Sequence, residues 1–244
     1  MDLVLDIGNS YTKIALFKGD KMQEMERIKS ISKKTIKHFL TKHAPEGQIE
    51  SSIISTVRDY PKEIDMYLQE NSKLVVLSHE TPIPIQNTYQ TPQTLGKDRL
   101  AAAIAAAKIF PHTNVLIIDA GTSMTFDLQA ASGNYFGGAI SPGIQMRFDA
   151  LHHFTGKLPQ LDKKEKVCLI GKNTNDSIYS GVLNGILGEV RSIIEDYKKM
   201  FPELKIIFTG GDYKYFVDNL NFSTFAEPYL VLIGLQSVLQ FNKH

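Results

Sequence analysis

The chain has 244 residues, of which 43% are hydrophobic and 22% are charged. This composition is typical of a folded protein and argues against disorder, and the length favours two small domains over one large one. The 27 basic and 26 acidic side chains leave a net charge of about +1 without a long basic run, which argues against nucleic acid as a partner.

The cysteine content and the N-terminus predict a cytoplasmic protein. Cys168 is the only cysteine, so an internal disulfide is excluded. The chain opens directly into an apolar strand pattern at residues 2–6 without the features of a signal peptide, and no apolar stretch is as long as a membrane span. We therefore expect no membrane partner.

The first part of the chain predicts β-hairpins followed by α/β units. Residues 3–8 and 12–17 are short β-type runs on either side of Gly8-Asn9-Ser10, and Gly19-Asp20 predicts a second turn. The elements expected next are a strand at 22–29, a helix at 33–43, a strand at 53–54, a helix near 61–70 and a strand at 74–77. Residues 79–94 contain three prolines and predict an extended connection. The alanine-rich segment 100–109 predicts a helix, with Asp98 and Arg99 near its first turn.

The middle of the chain repeats its beginning. Leu3, Asp6, Gly8, Ser10 and Thr12 recur at a constant offset of 113, as Leu116, Asp119, Gly121, Ser123 and Thr125. Five identities in ten residues, at the matching point of two predicted hairpins, indicate an internal duplication. The sequence therefore predicts two related halves, near 1–112 and 113–244. In the second half, helices are expected up to about 153, at 176–200 and after Pro228, with a strand at 205–208.

An aspartate that ends a strand and precedes a glycine turn suits a nucleoside triphosphate. The glycine allows backbone N–H groups to approach phosphate oxygens, and Asn9, Ser10 and Thr12 add donors. The Asp6 carboxylate can hold Mg²⁺ directly or through its waters. One such turn is weak support, whereas two related turns predict a phosphate-binding site. The sequence has no Walker A loop, no dinucleotide fingerprint, no protein-kinase motif and no zinc spacing.

Four other residues have both a functional and a structural interpretation. Asp98 is the best candidate to contact a nucleophilic hydroxyl, but a carboxylate at a helix start is also favoured by the helix dipole. Arg99 is either a surface charge or a fork for an anionic substrate. Tyr89 either packs the proline-rich connection or lines a pocket. Thr174 precedes the long helix, where it is expected to take part in N-terminal capping.

Four motifs carry a resemblance to a known family. They are Asp6-Ile7-Gly8-Asn9-Ser10, Gly96 to Arg99, Asp119-Ala120-Gly121-Thr122, and Gly137 to Gly143. In this order, across essentially the whole chain, they resemble the type III pantothenate kinases of bacteria, members of the actin, sugar kinase and heat-shock ATPase superfamily. The resemblance implies an α/β fold of two ribonuclease H-like (actin-like ATPase) domains, with mixed sheets and an ATP cleft between them. It also implies ATP-dependent phosphorylation of pantothenate to 4′-phosphopantothenate, the first step of coenzyme A biosynthesis.

The resemblance also implies roles for individual residues. Asp98 would be the catalytic base, Asp6 would hold Mg²⁺, and Asp119 would hold K⁺ or NH₄⁺. The implied ATP contacts are Asp6, Ile7, Gly8, Asn9, Ser10, Tyr11, Thr12, Lys13 and Thr122. The implied pantothenate contacts are Tyr89, Gly96, Lys97, Asp98, Arg99 and, across the interface of a homodimer, Thr174. Lys97 departs from the small or neutral residue usual in the family, which puts the charge of the substrate pocket in question.

Two other functions stay open at this point. A non-catalytic regulator of the same fold would bind nucleotide without transferring phosphate. A sugar or acetate kinase of the same superfamily would share the ATP site, but it gives no reason for Gly96-Lys97-Asp98-Arg99 or for the Tyr89 segment.

Overall fold

The computed structural model describes residues 1–44, 48–164 and 167–243. The strands in chain order are β1 (Asp2–Ile7), β2 (Thr12–Lys18), β3 (Lys21–Ile28), β4 (Ser51–Thr56), β5 (Lys73–Val76), β6 (Gln86–Asn87), β7 (Val115–Ala120), β8 (Ser123–Gln129), β9 (Asn134–Pro142), β10 (Lys205–Thr209) and β11 (Phe225–Ala226). The α-helices are α1 (Lys33–His43), α2 (Glu63–Asn71), α3 (Lys97–Ile109), α4 (Ile144–His153), α5 (Thr174–Met200), α6 (Tyr213–Asn219) and α7 (Leu230–Phe241). No helix of the described residues combines the length and hydrophobicity needed to cross a membrane.

The chain divides into two compact units. The first comprises Met1–Pro111, Gly133–Phe136 and Tyr229–His244, and the second comprises His112–Ser132 and Gly137–Pro228. The predicted halves divide the chain once, near residue 112, whereas the C-terminal helix α7 returns to the first unit. The reason is its packing on α3, where Gly234 lies so close to the Ala101 backbone that a Cβ would overlap it.

The first unit contains a mixed five-stranded sheet of order β3-β2-β1-β4-β5. The β1–β2 and β2–β3 pairs are antiparallel, and the β1–β4 and β4–β5 pairs are parallel. Alternate residues of the strands, such as Leu3, Leu5 and Ile54, form an apolar core with Phe39 of α1 and Leu68 of α2. Helices α3 and α7 also contact β4, and α7 contacts β1. The sheet therefore packs against helices on both faces, which explains its nearly continuous apolar strands.

The second unit contains a mixed sheet with the order β11-β10-β7-β8-β9. Leu116, Phe126 and Phe208 of this sheet pack with Leu183 and Ile186 of α5. The α/β class with mixed sheets is thus confirmed. The sequence does not predict β9, because Gly137-Gly138 is typical of a turn. A Cβ at Gly138 would overlap the Phe126 carbonyl, so this glycine instead permits a close approach between strands.

The duplicated hairpins differ in their registers. In the first unit Asp6 pairs with Lys13, and Thr12 pairs with Ile7. In the second unit Asp119 pairs with Thr125, because its turn is one residue shorter. A shift of one residue moves side chains to the opposite face of a sheet. The repeat therefore preserves the aspartate and glycine of the turn but not the orientation of the returning strand.

Candidate active site

Asp6 lies near the carboxyl end of β1, in a row of three polar side chains. It pairs with Lys13 of β2 on one side and with Ser55 of β4 on the other. Paired residues of neighbouring strands project from the same face. The Lys13 Nζ atom lies 4.0 Å from Asp6 Oδ2. The row therefore places one cation, one carboxylate and one hydroxyl side by side.

Burial changes the acidity of Asp6. The pKa of its carboxyl is raised from 3.8 to about 6. Desolvation is the largest cause; the Lys13 ammonium opposes it, and the Asp98 carboxylate adds to it. Asp98 thus lies close enough to act on Asp6 electrostatically. A buried carboxylate with a second one nearby favours an added cation, and such oxygen ligands suit Mg²⁺. The residues present fit a magnesium site at Asp6.

The turn between β1 and β2 forms at the predicted residues, but the Gly8 N–H is bonded within the turn and the Thr12 hydroxyl is buried. The Gly8 N–H donates to the Tyr11 carbonyl at 3.1 Å, and Asn9 and Ser10 are exposed. Thr12 lies on the face of Ile7, and its hydroxyl is buried without a hydrogen-bond partner among the described residues. The Thr12 hydroxyl is therefore not presented to a phosphate in this structure.

Helix α3 begins at the predicted substrate motif. Asp98 Oδ1 accepts a hydrogen bond from the Arg99 N–H at 2.8 Å, which holds the carboxylate at the first turn. A Cβ at position 96 would lie 2.6 Å from this oxygen, so a side chain there would displace the carboxylate from this position. Asp98 is thus a fixed, partly exposed acceptor.

Tyr89 and Arg99 come together, as their predicted roles require. The Arg99 guanidinium carbon lies 5.7 Å from the centre of the Tyr89 ring, and the Tyr89 ring stacks on Tyr135 at 6.3 Å. The Asn87 side chain accepts a hydrogen bond from the Tyr89 N–H at 3.0 Å. Arg99 is buried. The segment 79–94 therefore supplies an ordered aromatic side chain beside the start of α3.

The second unit surrounds Asp119 with glycines. A Cβ at Gly210, whose φ is +90°, would collide with Asp119 Oδ1, and one at Gly121 would lie 3.1 Å from the same atom. A Cβ at Gly143 would overlap the Gly121 and Thr122 carbonyls. A carboxylate and backbone carbonyls are ligands that hard cations prefer. These residues fit a cation site at Asp119, beside the exposed Thr122.

Comparison with known proteins decides the family. The family model described as type III pantothenate kinase matches residues 2–196. A type III pantothenate kinase of Christiangramia forsetii is 41% identical over 243 residues, covering 100% of this chain and 99% of that protein. One from Phocaeicola vulgatus is 40% identical, with 99% of each chain covered. The chain belongs to the type III pantothenate kinase family.

Solved structures resemble this family member in fold. A Campylobacter jejuni protein described under the Baf family of transcriptional activators has a TM-score of 0.64 at 24% identity, with 98% of each chain covered. An activator of 2-hydroxyisocaproyl-CoA dehydratase from Clostridium difficile has a TM-score of 0.56 at 12% identity, covering 98% of this chain and 93% of that one. At these identities the likeness shows the fold alone, that of actin-like ATPases and sugar kinases.

Another predicted site residue of this type III pantothenate kinase family member is Thr174. It is the exposed first residue of α5. The expected capping role belongs instead to Asn173, whose side chain accepts from the Asp176 N–H at 2.9 Å. Thr174 is thus not the capping residue, and its side chain faces solvent.

Sequence reasoning missed two parts of this site. Ser55 interrupts an apolar strand, which was the available signal, but its position beside Asp6 depends on the pairing of β1 with β4. Gly210 follows β10, and only the parallel pairing of β10 with β7 brings it against Asp119. Both contacts are set by sheet topology.

Proposed function

We propose that this chain transfers the γ-phosphoryl group of ATP to the primary hydroxyl of pantothenate, with Asp98 as the catalytic base. Its family makes it a kinase that uses ATP and a divalent metal, and the reaction of that family gives 4′-phosphopantothenate, the first step of coenzyme A biosynthesis. The observation that supports the role of Asp98 is that its carboxylate raises the pKa of Asp6, which lies beside the glycine turn.

Asp98 would orient the hydroxyl and receive its proton late in the transfer. The transition state of phosphoryl transfer is loose, so catalysis depends mainly on positioning and charge neutralisation. The hydrogen bond from the Arg99 N–H already holds the Asp98 carboxylate in a fixed direction. A base fixed in this way needs no large reorganisation when the hydroxyl arrives.

The segment from Asp6 to Lys13 would bind the ATP phosphates, with Thr122 as a further contact. The Asp6 carboxylate would hold Mg²⁺ directly or through a water, and Lys13 would add a positive charge beside it. When bound, Mg²⁺ supplies neutralisation of the charge that develops on the phosphate oxygens. The exposed Asn9 and Ser10 offer donors along the same turn.

Pantothenate would lie at the start of α3. The Arg99 guanidinium can bind its carboxylate through two parallel hydrogen bonds, and stacking on Tyr89 helps to hold the fork in place. Gly96 keeps the backbone open, and Lys97 adds a charge that attracts the same carboxylate. The partner's Thr174 would complete the pocket in a homodimer.

Asp119 would bind K⁺ or NH₄⁺. Gly121 and Gly210 approach its carboxylate closely, and Gly143 approaches the carbonyls of Gly121 and Thr122, so the absence of side chains at these glycines keeps the backbone close to Asp119. We propose that neither nucleic acid nor a membrane is a partner of this chain. The proposed use of ATP in coenzyme A biosynthesis makes the cytoplasm the proposed compartment.

The test is ADP release from ATP with Mg²⁺ and K⁺, measured with and without pantothenate. Pantothenate-dependent ADP release is expected. ATP binding without phosphorylation of pantothenate would instead favour a regulator, and a panel of sugars and acetate in place of pantothenate would reveal a different kinase of the superfamily.

A further inference from the structure

Ser55 is the third member of the polar row that contains Lys13 and Asp6. Its parallel pairing with Asp6 places both side chains on one face, at the carboxyl ends of their strands. Helix α3, which begins at the substrate motif, packs against β4. Ser55 therefore lies in the part of the first unit that also contains Asp6 and Asp98.

The Ser55 hydroxyl is buried without a partner. The residue is 1% exposed, and no hydrogen-bond partner lies within reach of its Oγ atom among the described residues. An unsatisfied buried hydroxyl destabilises a folded protein, and alanine at the same place would not carry this cost. Ile53 and Ile54 precede Ser55 in β4, and Thr56 follows it and pairs with Ile7 of β1. Packing alone therefore gives no reason for a hydroxyl here.

We propose that Ser55 is a positioning residue of the cation and phosphate site, whose hydroxyl donates to the Asp6 carboxylate when Mg²⁺ and nucleotide bind. The donation can occur directly after rotation about the Ser55 Cα–Cβ bond, or through one water. It would fix the orientation of the carboxylate toward the cation. This inference rests on the proposed function only in placing the metal at Asp6.

Ser52 provides a matched control in the same strand. It is also fully buried, but it pairs with Leu3 and so lies on the opposite face from Asp6. Its hydroxyl is satisfied by Ser72 at 2.7 Å. A change from serine to alanine removes the hydroxyl oxygen at both positions. We expect it to lower stability only at Ser52 and to raise the Mg²⁺ requirement only at Ser55.

The experiment compares wild type, Ser55→Ala and Ser52→Ala by thermal unfolding and by calorimetric titration of ADP at a series of Mg²⁺ concentrations. We expect Ser55→Ala to unfold at the same temperature or higher, and to need roughly 10-fold more Mg²⁺ for half-maximal ADP binding, the low end for lost support of a metal ligand. Ser52→Ala should lose about 2–4 °C in Tm with an unchanged Mg²⁺ requirement, because a satisfied hydrogen bond is removed.

An unchanged Mg²⁺ requirement in Ser55→Ala would overturn the proposal, as would an equal increase in both variants. A clear loss of Tm in Ser55→Ala would show that the hydroxyl is structural. These readouts do not use pantothenate. A wild type that binds ADP with Mg²⁺ but does not phosphorylate pantothenate would therefore refute the proposed function and leave this test intact.

Discussion

The Asp98 carboxylate raises the pKa of Asp6, although Asp98 lies in the first turn of α3 and Asp6 lies near the end of β1. Two carboxylates that act on each other in a partly buried site destabilise the fold until a cation or a proton arrives. Their proposed roles differ because their surroundings differ: Asp6 is desolvated, whereas Asp98 is partly exposed at the positive end of a helix. The pair would thus combine the proposed metal ligand and the proposed base within one unit.

Asp98→Asn tests the proposed base. The amide keeps the size of the side chain but cannot accept the substrate proton, so we expect turnover to fall by at least about 10²-fold. ATP binding should persist, since Asp98 is not among the proposed phosphate contacts. Steady-state kinetics and calorimetric ATP binding check the two statements. Asp20→Asn, at an exposed aspartate paired with Lys108, is the control and should keep normal turnover. Near wild-type turnover in Asp98→Asn would remove Asp98 from the mechanism.

Asp6→Asn should alter how stability depends on pH. The folded protein keeps the Asp6 proton up to about pH 6, whereas the unfolded chain loses it near 3.8. The unfolded state therefore binds fewer protons between these values, and the free energy of unfolding of the unliganded wild type falls as pH rises through that window. Two pKa units correspond to about 3 kcal/mol, so Asp6→Asn should be more stable than wild type by up to about this amount at pH 7.

Denaturant unfolding at pH 3.5 and pH 7 measures this difference. The stability gain of Asp6→Asn should be present at pH 7 and absent near pH 3.5, where the wild-type carboxyl is protonated in both states. The same variant should bind ATP more weakly in the presence of Mg²⁺. A gain that is equal at both pH values would mean that burial of the charge is not its cause.

The sequence predicts the local structure better than it predicts the convergence of the site. The α3 helix with Asp98 in its first turn and the two glycine turns follow from composition and spacing, which are local properties. The burial of Thr12 and the pairing of Ser55 with Asp6 depend on sheet register. The second turn shows the limit of the repeat, because its strand pairing is shifted by one residue without any deletion in the sequence. Thr125 therefore lies on the face of Asp119, whereas Thr12 lies on the face opposite to Asp6.

Gly143→Ala tests the cation site at Asp119. The new methyl group would overlap the carbonyls of Gly121 and Thr122, and backbone must move to admit it. We expect activity to require roughly 10-fold more K⁺ than in wild type, as for other losses of support around a metal. Gly188→Ala is the control, since its Cβ would meet no atom within 4 Å. Rates of the wild type that are equal in K⁺, NH₄⁺ and Na⁺ would argue against any such site.

Arg99→Lys tests the recognition of the substrate carboxylate. Lysine keeps the charge but loses the planar fork and its contact with Tyr89, so the KM for pantothenate should rise at least about 10-fold with little change in the KM for ATP. Steady-state kinetics with each substrate varied in turn measures the two constants. Arg191→Lys, at an exposed position of α5, should leave both unchanged. An equal rise in both KM values would indicate a general distortion of the site.

Mixing two inactive variants tests whether Thr174 acts across a homodimer. If the partner's Thr174 completes each pocket, a mixed dimer of one Asp98→Asn chain and one Thr174→Ala chain combines both defects in one site and leaves the other site intact. Random reassociation makes about half of the dimers mixed, so activity should recover to about a quarter of wild type. Activity measured after mixing, unfolding and refolding the two variants together tests this, and each variant treated alone is the control. A mixture no more active than the sum of its parts would place Thr174 in its own subunit's site or outside it, because complementation requires that the two residues come from different chains.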